Sequence, residues 1–293
     1  MRLLVTGAAG VLGGRLAALL ARSHSVVAAR HEAAVPAGLA ALELDLLSPD
    51  AAEAALEAAR PDAVVHAAAL VEPDRCEREP ELAARLNTGA SERLAAACAR
   101  HGAKLILVST DLVFDDADER HEGAAPHPVS VYGRTKRAAE EAVLAADGRH
   151  AVARVPLVIG HGHGPRGTAT EAVCWALRER RPLELYADQW RTPSDPESTA
   201  AACESILERD ARGIFHLGGG ARVTRHELGL RVAAVFGQPT ALIAATTHDL
   251  RPPEAPRPRD ACLDSARTRA ALDWEPRPLD VAVASSRPAP PGR

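Results

Sequence analysis

The chain predicts an α/β fold, a doubly wound parallel sheet of the Rossmann type with a smaller C-terminal lobe. Three observations predict it. Short, continuously apolar segments alternate with helical ones as far as Pro156, the pattern of a parallel sheet buried on both faces. A glycine-rich turn, Gly7-Ala8-Ala9-Gly10-Val11-Leu12-Gly13, joins the first strand to the first helix. After Pro156 the rhythm changes, and glycine and histidine crowd Gly160-His161-Gly162-His163-Gly164. Crossovers between parallel strands should be right-handed.

The elements follow in order. Leu3-Leu4-Val5 reads as a short strand, and Val11, Leu12, Leu16, Leu19 and Leu20 recur at helical spacing. Val26 to Ala29 and Ala41 to Leu44 are the next strands. Residues 50–59 form an alanine-rich helix stopped by Pro61. Ala63 to His66 is the fourth strand, and a long helix covers 81–100 and ends near Gly102. Lys104 to Val108 is the fifth strand, Ser130 to Ala146 a helix, and Ala151 to Val155 the sixth strand. Beyond Pro156 come a helix over 168–180, strands at Leu183 to Tyr186 and Ile214 to Leu217, and a helix from Thr224 to Phe236. Thr224 with Glu227 three residues on is a capping-box pattern. Residues 1–155 are therefore expected to form the sheet domain. Residues 156–285 form a lobe over the carboxyl ends of the strands, with some segments returning to the sheet, and 286–293 a disordered tail.

Bulk properties exclude several classes. The 293 residues, 46% hydrophobic, suffice for one large core or a core with a lobe grafted on it. A net charge of −4 and a pI near 6.3 give no basic footprint for nucleic acid. No apolar run reaches the roughly 18–20 residues needed to span a bilayer, and no signal peptide is read at the N-terminus. Five scattered cysteines without a CxxC pair fit a reduced, cytoplasmic chain.

The chemistry-bearing residues lie at the ends of the strands. In the glycine turn, Gly7 allows the tight turn, Gly10 lets backbone approach a pyrophosphate, and Gly13 lets helix and sheet pack closely. Ala9, Val11 and Leu12 complete the loop, and the helix N-terminus offers N–H groups and partial positive charge to phosphates. Arg30 closes the second strand where an NAD-binding chain usually carries an acid, so it favours the 2′-phosphate of NADP; a solvated surface arginine is the alternative. Asp45 and Leu46 follow the third strand and either flank an adenine or cap the next helix. Ala67-Ala68-Ala69 leaves room for a dinucleotide, or packs simply. Asn87 is a cofactor contact or a structural hydrogen-bonder. Tyr132 and Lys136, four apart on a helix, share one face. A tyrosine hydroxyl is a poor acid or base near neutrality unless shifted, and a neighbouring ammonium favours the phenolate. Ser109 and Thr110 end the fifth strand on the same carboxyl edge. Together these residues suit transfer of a hydride and a proton to or from a carbonyl. His161 and His163 form an HxH pair with no third ligand at recognisable spacing, so no metal is expected.

These residues resemble the extended short-chain dehydrogenase/reductases, and within them the dTDP-4-dehydrorhamnose reductase family, over nearly the whole chain. Ser109-Thr110-Asp111-Leu112-Val113-Phe114-Asp115 is similar to the family's S-T-D-x-V-F-D, and Tyr132-Gly133-Arg134-Thr135-Lys136 to its Y-G-x-[ST]-K. Asp188-Gln189, Gly213 to Gly219, and Pro256-Arg257-Pro258 before Leu263-Asp264 are similar to further segments. The resemblance implies NADPH-dependent reduction of the C4 keto group of a nucleotide-linked 4-keto-6-deoxyhexose, with NADP(H) ahead of NAD(H). It implies that Thr110, with Ser109, holds the C4 oxygen, and that Tyr132 donates the proton. Lys136 then lowers the Tyr132 pKa and holds the nicotinamide ribose, while Arg154 and Pro156 border the nicotinamide. Asp111, Val113, Leu157, Trp190 and Arg191 fall in the substrate region.

Departures from the pattern narrow the reading. Leu157 replaces an aromatic of the sugar pocket. Trp190-Arg191-Thr192-Pro193 is closer to the R-T-P of other extended reductases, which offers Arg191 to a pyrophosphate and Trp190 to a base or sugar. Arg15 stands where some members carry an acid for a bridging Mg²⁺. Two other functions stay open: a nucleotide-sugar epimerase or dehydratase, and a non-catalytic regulatory subunit that binds NADP and docks onto a partner enzyme. A homodimer is the fold-level expectation.

Overall fold

The computed structural model describes residues 1–116 and 120–289. In chain order the first half contains β1 (Arg2–Thr6), α1 (Val11–Leu20), β2 (Ser25–Arg30), β3 (Ala40–Glu43), α2 (Ala51–Ala59), β4 (Ala63–His66), α3 (Pro73–Arg78), α4 (Pro80–Ala83), α5 (Ala90–His101), β5 (Lys104–Thr110), α6 (Val131–Ala146) and β6 (Ala151–Val155). The second half adds α7 (Ala169–Arg178), β7 (Leu183–Tyr186), β8 (Trp190–Arg191), α8 (Pro196–Glu208), β9 (Gly213–His216), β10 (Val223–Thr224), α9 (Arg225–Val235), β11 (Ile243–Thr246), α10 (Ala266–Leu272) and α11 (Leu279–Ala284).

Seven strands form one parallel sheet in the order β3-β2-β1-β4-β5-β6-β9. Alternation along the strands feeds two cores. Leu3 and Val5 face α1 and α8, in a core with Leu16, Leu20, Ile206 and Trp274. Leu4 and Val64 face α2, α5 and α6, in a core with Leu56, Leu94 and Val143. The strand order reverses between β1 and β4, and ligands of such sheets bind in the crevice at that switch point.

The second half supplies both edge and cover. β9 joins the sheet beside β6, so this segment returns to the sheet as expected. A separate apolar cluster unites Ile159, Trp175, Leu228, Val232, Ile243 and Val283 from α7, α9, β11 and α11. The parallel pair β7–β11 and the antiparallel pair β8–β10 complete the lobe.

Four departures from the sequence reading bear on the site and its cover. The expected helix over 81–100 is broken: Ala84–Gly89 is π-helical between α4 and α5. β5 runs on to Thr110, so Ser109 and Thr110 lie within the strand and point to opposite sheet faces. α8 was not foreseen. Its first turn, Pro196-Glu197-Ser198-Thr199, masks the apolar face that Ala202, Cys203 and Ile206 bury, yet Asp195 caps it by accepting from the Ser198 amide at 3.0 Å. The tail expected from residue 286 is anchored at its start. Ser286 is buried and Arg287 pairs with Glu171; residues 290–293 lie outside the described residues.

Candidate active site at the carboxyl edge of the sheet

The glycine turn takes the form its spacing predicts. Gly7 has φ +68°, which glycine tolerates at no steric cost, and a Cβ there would stand 2.6 Å from the Ala68 amide nitrogen. The Ala67-Ala68-Ala69 backbone thus lies directly against the turn. A Cβ on Gly13 would overlap the Gly7 carbonyl oxygen, so Gly13 sets how closely α1 approaches β1. Gly10, exposed between them, caps α1 without a side chain, and its amide donates to the Gly7 carbonyl at 2.8 Å. This leaves a side-chain-free surface at the positive end of a helix, which fits a pyrophosphate. Arg30 is half-buried at the end of β2, and its guanidinium donates to the Glu32 carbonyl at 3.0 Å. Asp45 is exposed and accepts from the Leu47 amide at 2.9 Å in a local turn, whereas α2 begins after Asp50, so Asp45 does not cap that helix; Leu46 is buried beside it.

Two strands away, α6 carries Tyr132, Lys136 and Glu140 at successive turns of one face, all buried. Ser130 starts the helix, its hydroxyl accepting from the Gly133 amide at 3.1 Å. A Cβ on Gly133 would overlap the Leu112 carbonyl oxygen. Gly133 therefore lets α6 close onto the turn after β5, which brings the Tyr132 hydroxyl beside the Thr110 side chain. Thr110 also donates to Asp111 at 3.0 Å and accepts from the Leu112 amide at 3.2 Å. Lys136 donates to the Val108 carbonyl at 2.8 Å. Burial, reinforced by Asp111, raises the Tyr132 pKa, while its bond to Thr110 opposes the rise. Burial depresses Lys136 to about 8, against the attraction of Glu140.

Other expected site residues are placed differently. Ser109, on the opposite face of β5 from Thr110, donates to Glu140 and lies away from the Tyr132 hydroxyl. Arg154, whose backbone was expected to border a nicotinamide, lies in β6 with its side chain buried. Its guanidinium meets Glu140 at 2.6 Å and His216 at 3.2 Å and lies over the Phe114 ring. Pro156 alone follows the end of that strand. Asn87 is fully buried: its oxygen accepts from the Leu70 amide at 2.8 Å, and its nitrogen donates to the Leu70 carbonyl and the Thr135 hydroxyl. Both ends of the amide are used inside the protein, as the structural reading expects. Val113 is sealed in a small cluster with Phe114, Ala124 and Leu263. Leu157 packs against the lobe core. Arg15 pairs with Glu197 at 2.6 Å.

A feature that single positions did not reveal is a group of arginines over Asp111. Arg191 is buried, its Nε 3.7 Å from Asp111 Oδ2, and it donates to the Trp190 and Pro258 carbonyls. Arg225 stands close to Arg191 and Arg257, and its pKa falls to about 10, chiefly through burial and then through Arg191 and Arg257. Burial raises the Asp111 pKa, and Arg191 opposes the rise. Trp190 has Arg222 stacked 3.9 Å from its ring centroid. Arg257 is itself paired, with Asp74 at 2.7 Å, so the group beside Thr110 mixes both signs of charge. The sequence signal for it was the scatter of arginines across 191, 225 and 257, which nothing but the fold brings together.

Comparison with known proteins places this geometry. Methionine adenosyltransferase 2 subunit beta of Xenopus laevis is 32% identical over 291 residues, 96% of this chain and 86% of that protein. A probable low-salt glycan biosynthesis reductase, Agl14 of Haloferax volcanii, is 30% identical over 278 residues, 92% of this chain and 91% of that protein. Among solved structures, MoeE5 in complex with UDP-glucose and NAD has 27% identity and a TM-score of 0.83, covering 97% of each chain. The family described as RmlD substrate binding domain matches residues 1–287, and the chain belongs to that family, on the extended short-chain dehydrogenase/reductase fold.

Proposed function

We propose that the protein reduces the C4 keto group of a nucleotide-linked 4-keto-6-deoxyhexose, using NADP(H) ahead of NAD(H). The observation that carries this reading is the placing of Tyr132 beside the Thr110 side chain, with Lys136 one turn along α6, at the carboxyl edge that also holds the glycine turn. β1 and β5 are two strands apart, a separation of roughly 10 Å, and β2 flanks β1 on the other side. A dinucleotide on the glycine turn would reach Arg30 with its adenosine half and Thr110 with its other half. Gly7, Gly10, Gly13 and Ala67 to Ala69 would hold its phosphates and ribose. A bound reduced nicotinamide supplies the hydride.

The protein groups supply the rest. Burial keeps the Tyr132 phenol protonated at neutral pH, which suits it to give a proton to a carbonyl oxygen. The Thr110 hydroxyl lies where it can hold the same oxygen. Lys136, protonated below about pH 8, lies one turn away to offset the phenolate that proton transfer leaves. Arg225, close to Arg191 and Asp111, suits a diphosphate, since guanidinium forks recognise phosphate oxygens in pairs. The reductase relative and the UDP-glucose and NAD held by MoeE5 support the same substrate class.

The relationship to methionine adenosyltransferase 2 subunit beta favours a second reading, a dinucleotide-binding subunit of a larger enzyme. Oxidation of NADPH and NADH, followed in parallel with enzymatically generated dTDP-4-keto-6-deoxy sugars, separates the two. Rapid oxidation that favours NADPH is the expected result. Dinucleotide binding without turnover on these sugars, together with co-purification of a partner enzyme, would replace the first reading with the second.

A further inference from the structure

Glu171, on α7, is fully buried yet gathers groups from three segments. One oxygen accepts from the Thr168 amide at 2.9 Å and the Gly162 amide at 3.3 Å. The other accepts from the Arg287 amide at 3.1 Å and its Nε at 2.6 Å. Arg287 then reaches on, donating to the Gly164 carbonyl at 2.9 Å. Its own carbonyl accepts from the Trp175 indole at 3.0 Å. The end of the chain is therefore stapled to the loop of glycines and histidines between β6 and α7.

That loop rests on the glycine turn. The His163 amide donates to the Val11 carbonyl at 2.9 Å, in the first turn of α1. The His163 ring covers Gly14 so closely that a Cβ there would overlap it, and its Nε2 lies 3.3 Å from the Ala34 carbonyl oxygen beyond β2. A Cβ on Gly162 would stand 2.6 Å from a Val11 methyl carbon. The loop thus touches the start of α1 and the segment after Arg30, on either side of the expected path of an adenosine diphosphate moiety. Its glycines give it little stiffness of its own. Thr168 and Thr170 hold its first residue, Gly160, and Glu171 with Arg287 holds the middle of the loop at Gly162 and Gly164.

We infer that the Arg287 segment is a strap that positions the dinucleotide loop: Arg287 and Glu171 hold the 160–168 loop against α1 and so set the affinity for the nicotinamide dinucleotide. Arg287 is a positioning residue acting through His163 and Val11. The inference rests on the dinucleotide reading above. It links the last turn of the chain to a phosphate cradle formed by its first residues.

The test uses the full-length chain with Arg287→Ala and Arg287→Lys. Hydrogen exchange of the ligand-free proteins reads the strap, and fluorescence titration with NADPH and NADH reads its consequence. Arg287→Ala should speed exchange in peptides covering 160–168 and 9–14 while the sheet peptides stay as in the wild type. It should also weaken dinucleotide binding about fivefold or more. Arg287→Lys, which keeps the charge on Glu171, should fall between. Acceleration throughout the molecule would mean a general loss of stability and would overturn the positioning role. Local loosening with unchanged affinity, or no change in the 9–14 peptide, would overturn it too. Failure of the wild type to bind either dinucleotide would overturn the dinucleotide reading and the inference with it, a result distinct from wild-type binding that Arg287→Ala leaves intact.

Discussion

At the scale of single residues, burial decides protonation. Tyr132 sits beside Thr110 in a buried site that disfavours the phenolate, so its proton is present at neutral pH. Tyr132→Phe should lower turnover by about 10²–10⁴-fold while leaving the dinucleotide dissociation constant close to the wild-type value. Steady-state kinetics with fluorescence titration checks both, and retained activity would remove Tyr132 from the mechanism. Lys136 has the opposite problem. Its folded pKa of about 8 lies below the 10.5 of a free lysine, so between these values the unfolded chain binds the extra proton. The Lys136 contribution to stability therefore rises as pH increases from about 8 toward 10.5, and Lys136 penalises the fold most below pH 8. Urea denaturation of wild type and Lys136→Met at pH 7.5 and 9.5 isolates that slope: the difference between the two proteins should shift in favour of the wild type at the higher pH. Arg30 is a surface-edge residue whose effect should be selective. Arg30→Ala should weaken NADPH more than NADH, and equal losses would show that it does not meet a 2′-phosphate.

At the scale of elements, two glycines position the chemistry. Gly13 lets α1 approach β1, and Gly133 lets α6 close onto the turn at Leu112. Gly133→Ala forces the helix bearing Tyr132 away from Thr110. Overpacking of this kind costs about 1–3 kcal/mol, and the turnover should fall by more than the stability loss explains, because the hydroxyl pair separates. Denaturant titration with kinetics on the folded fraction measures both. In the sequence Gly133 belonged to a motif. Its physical reason became visible only when the neighbouring carbonyl was in place. The breaks in the expected 81–100 helix have a similar cause: the π-helical segment brings Asn87 to Leu70 and Thr135, contacts that no helical periodicity announces.

At the scale of the whole molecule, a buried polar network ties the catalytic helix to the sheet and the second half of the chain. Glu140 on α6 binds Ser109 on β5 and Arg154 on β6, and Arg154 reaches His216 on β9, whose ring meets the Asp264 carbonyl at 3.0 Å. Breaking one side of such a pair leaves a charge buried without its partner. Arg154→Met should cost about 3–5 kcal/mol in denaturant titration, and the double variant Glu140→Leu with Arg154→Met should cost less than Arg154→Met alone. A double variant at least as unstable as the single would mean that Glu140 is held by its other partners. Among the described residues no helix is long and apolar enough to cross a membrane.

The sequence by itself determined the alternation of strand and helix, the glycine turn, and the Tyr132–Lys136 face. Each is written in local spacing: period, turn chemistry, or residues four apart on one helix. The capping box at Thr224 and Glu227 was legible for the same reason. Tertiary structure decided what a side chain meets across the sheet. Thr110 and Ser109 are adjacent in the chain, yet strand alternation sends one to Tyr132 and the other to Glu140. The Arg154 side chain is an internal ion-pair partner, a role its position in the chain did not announce; Ser286 and Arg287 read as tail and are anchored. Arg191, Arg225 and Arg257 lie up to 66 positions apart and share one field. Local pattern fixes which elements form because it acts within a few residues; long-range packing alone determines which polar groups share a low-dielectric interior, and that sharing sets their chemistry.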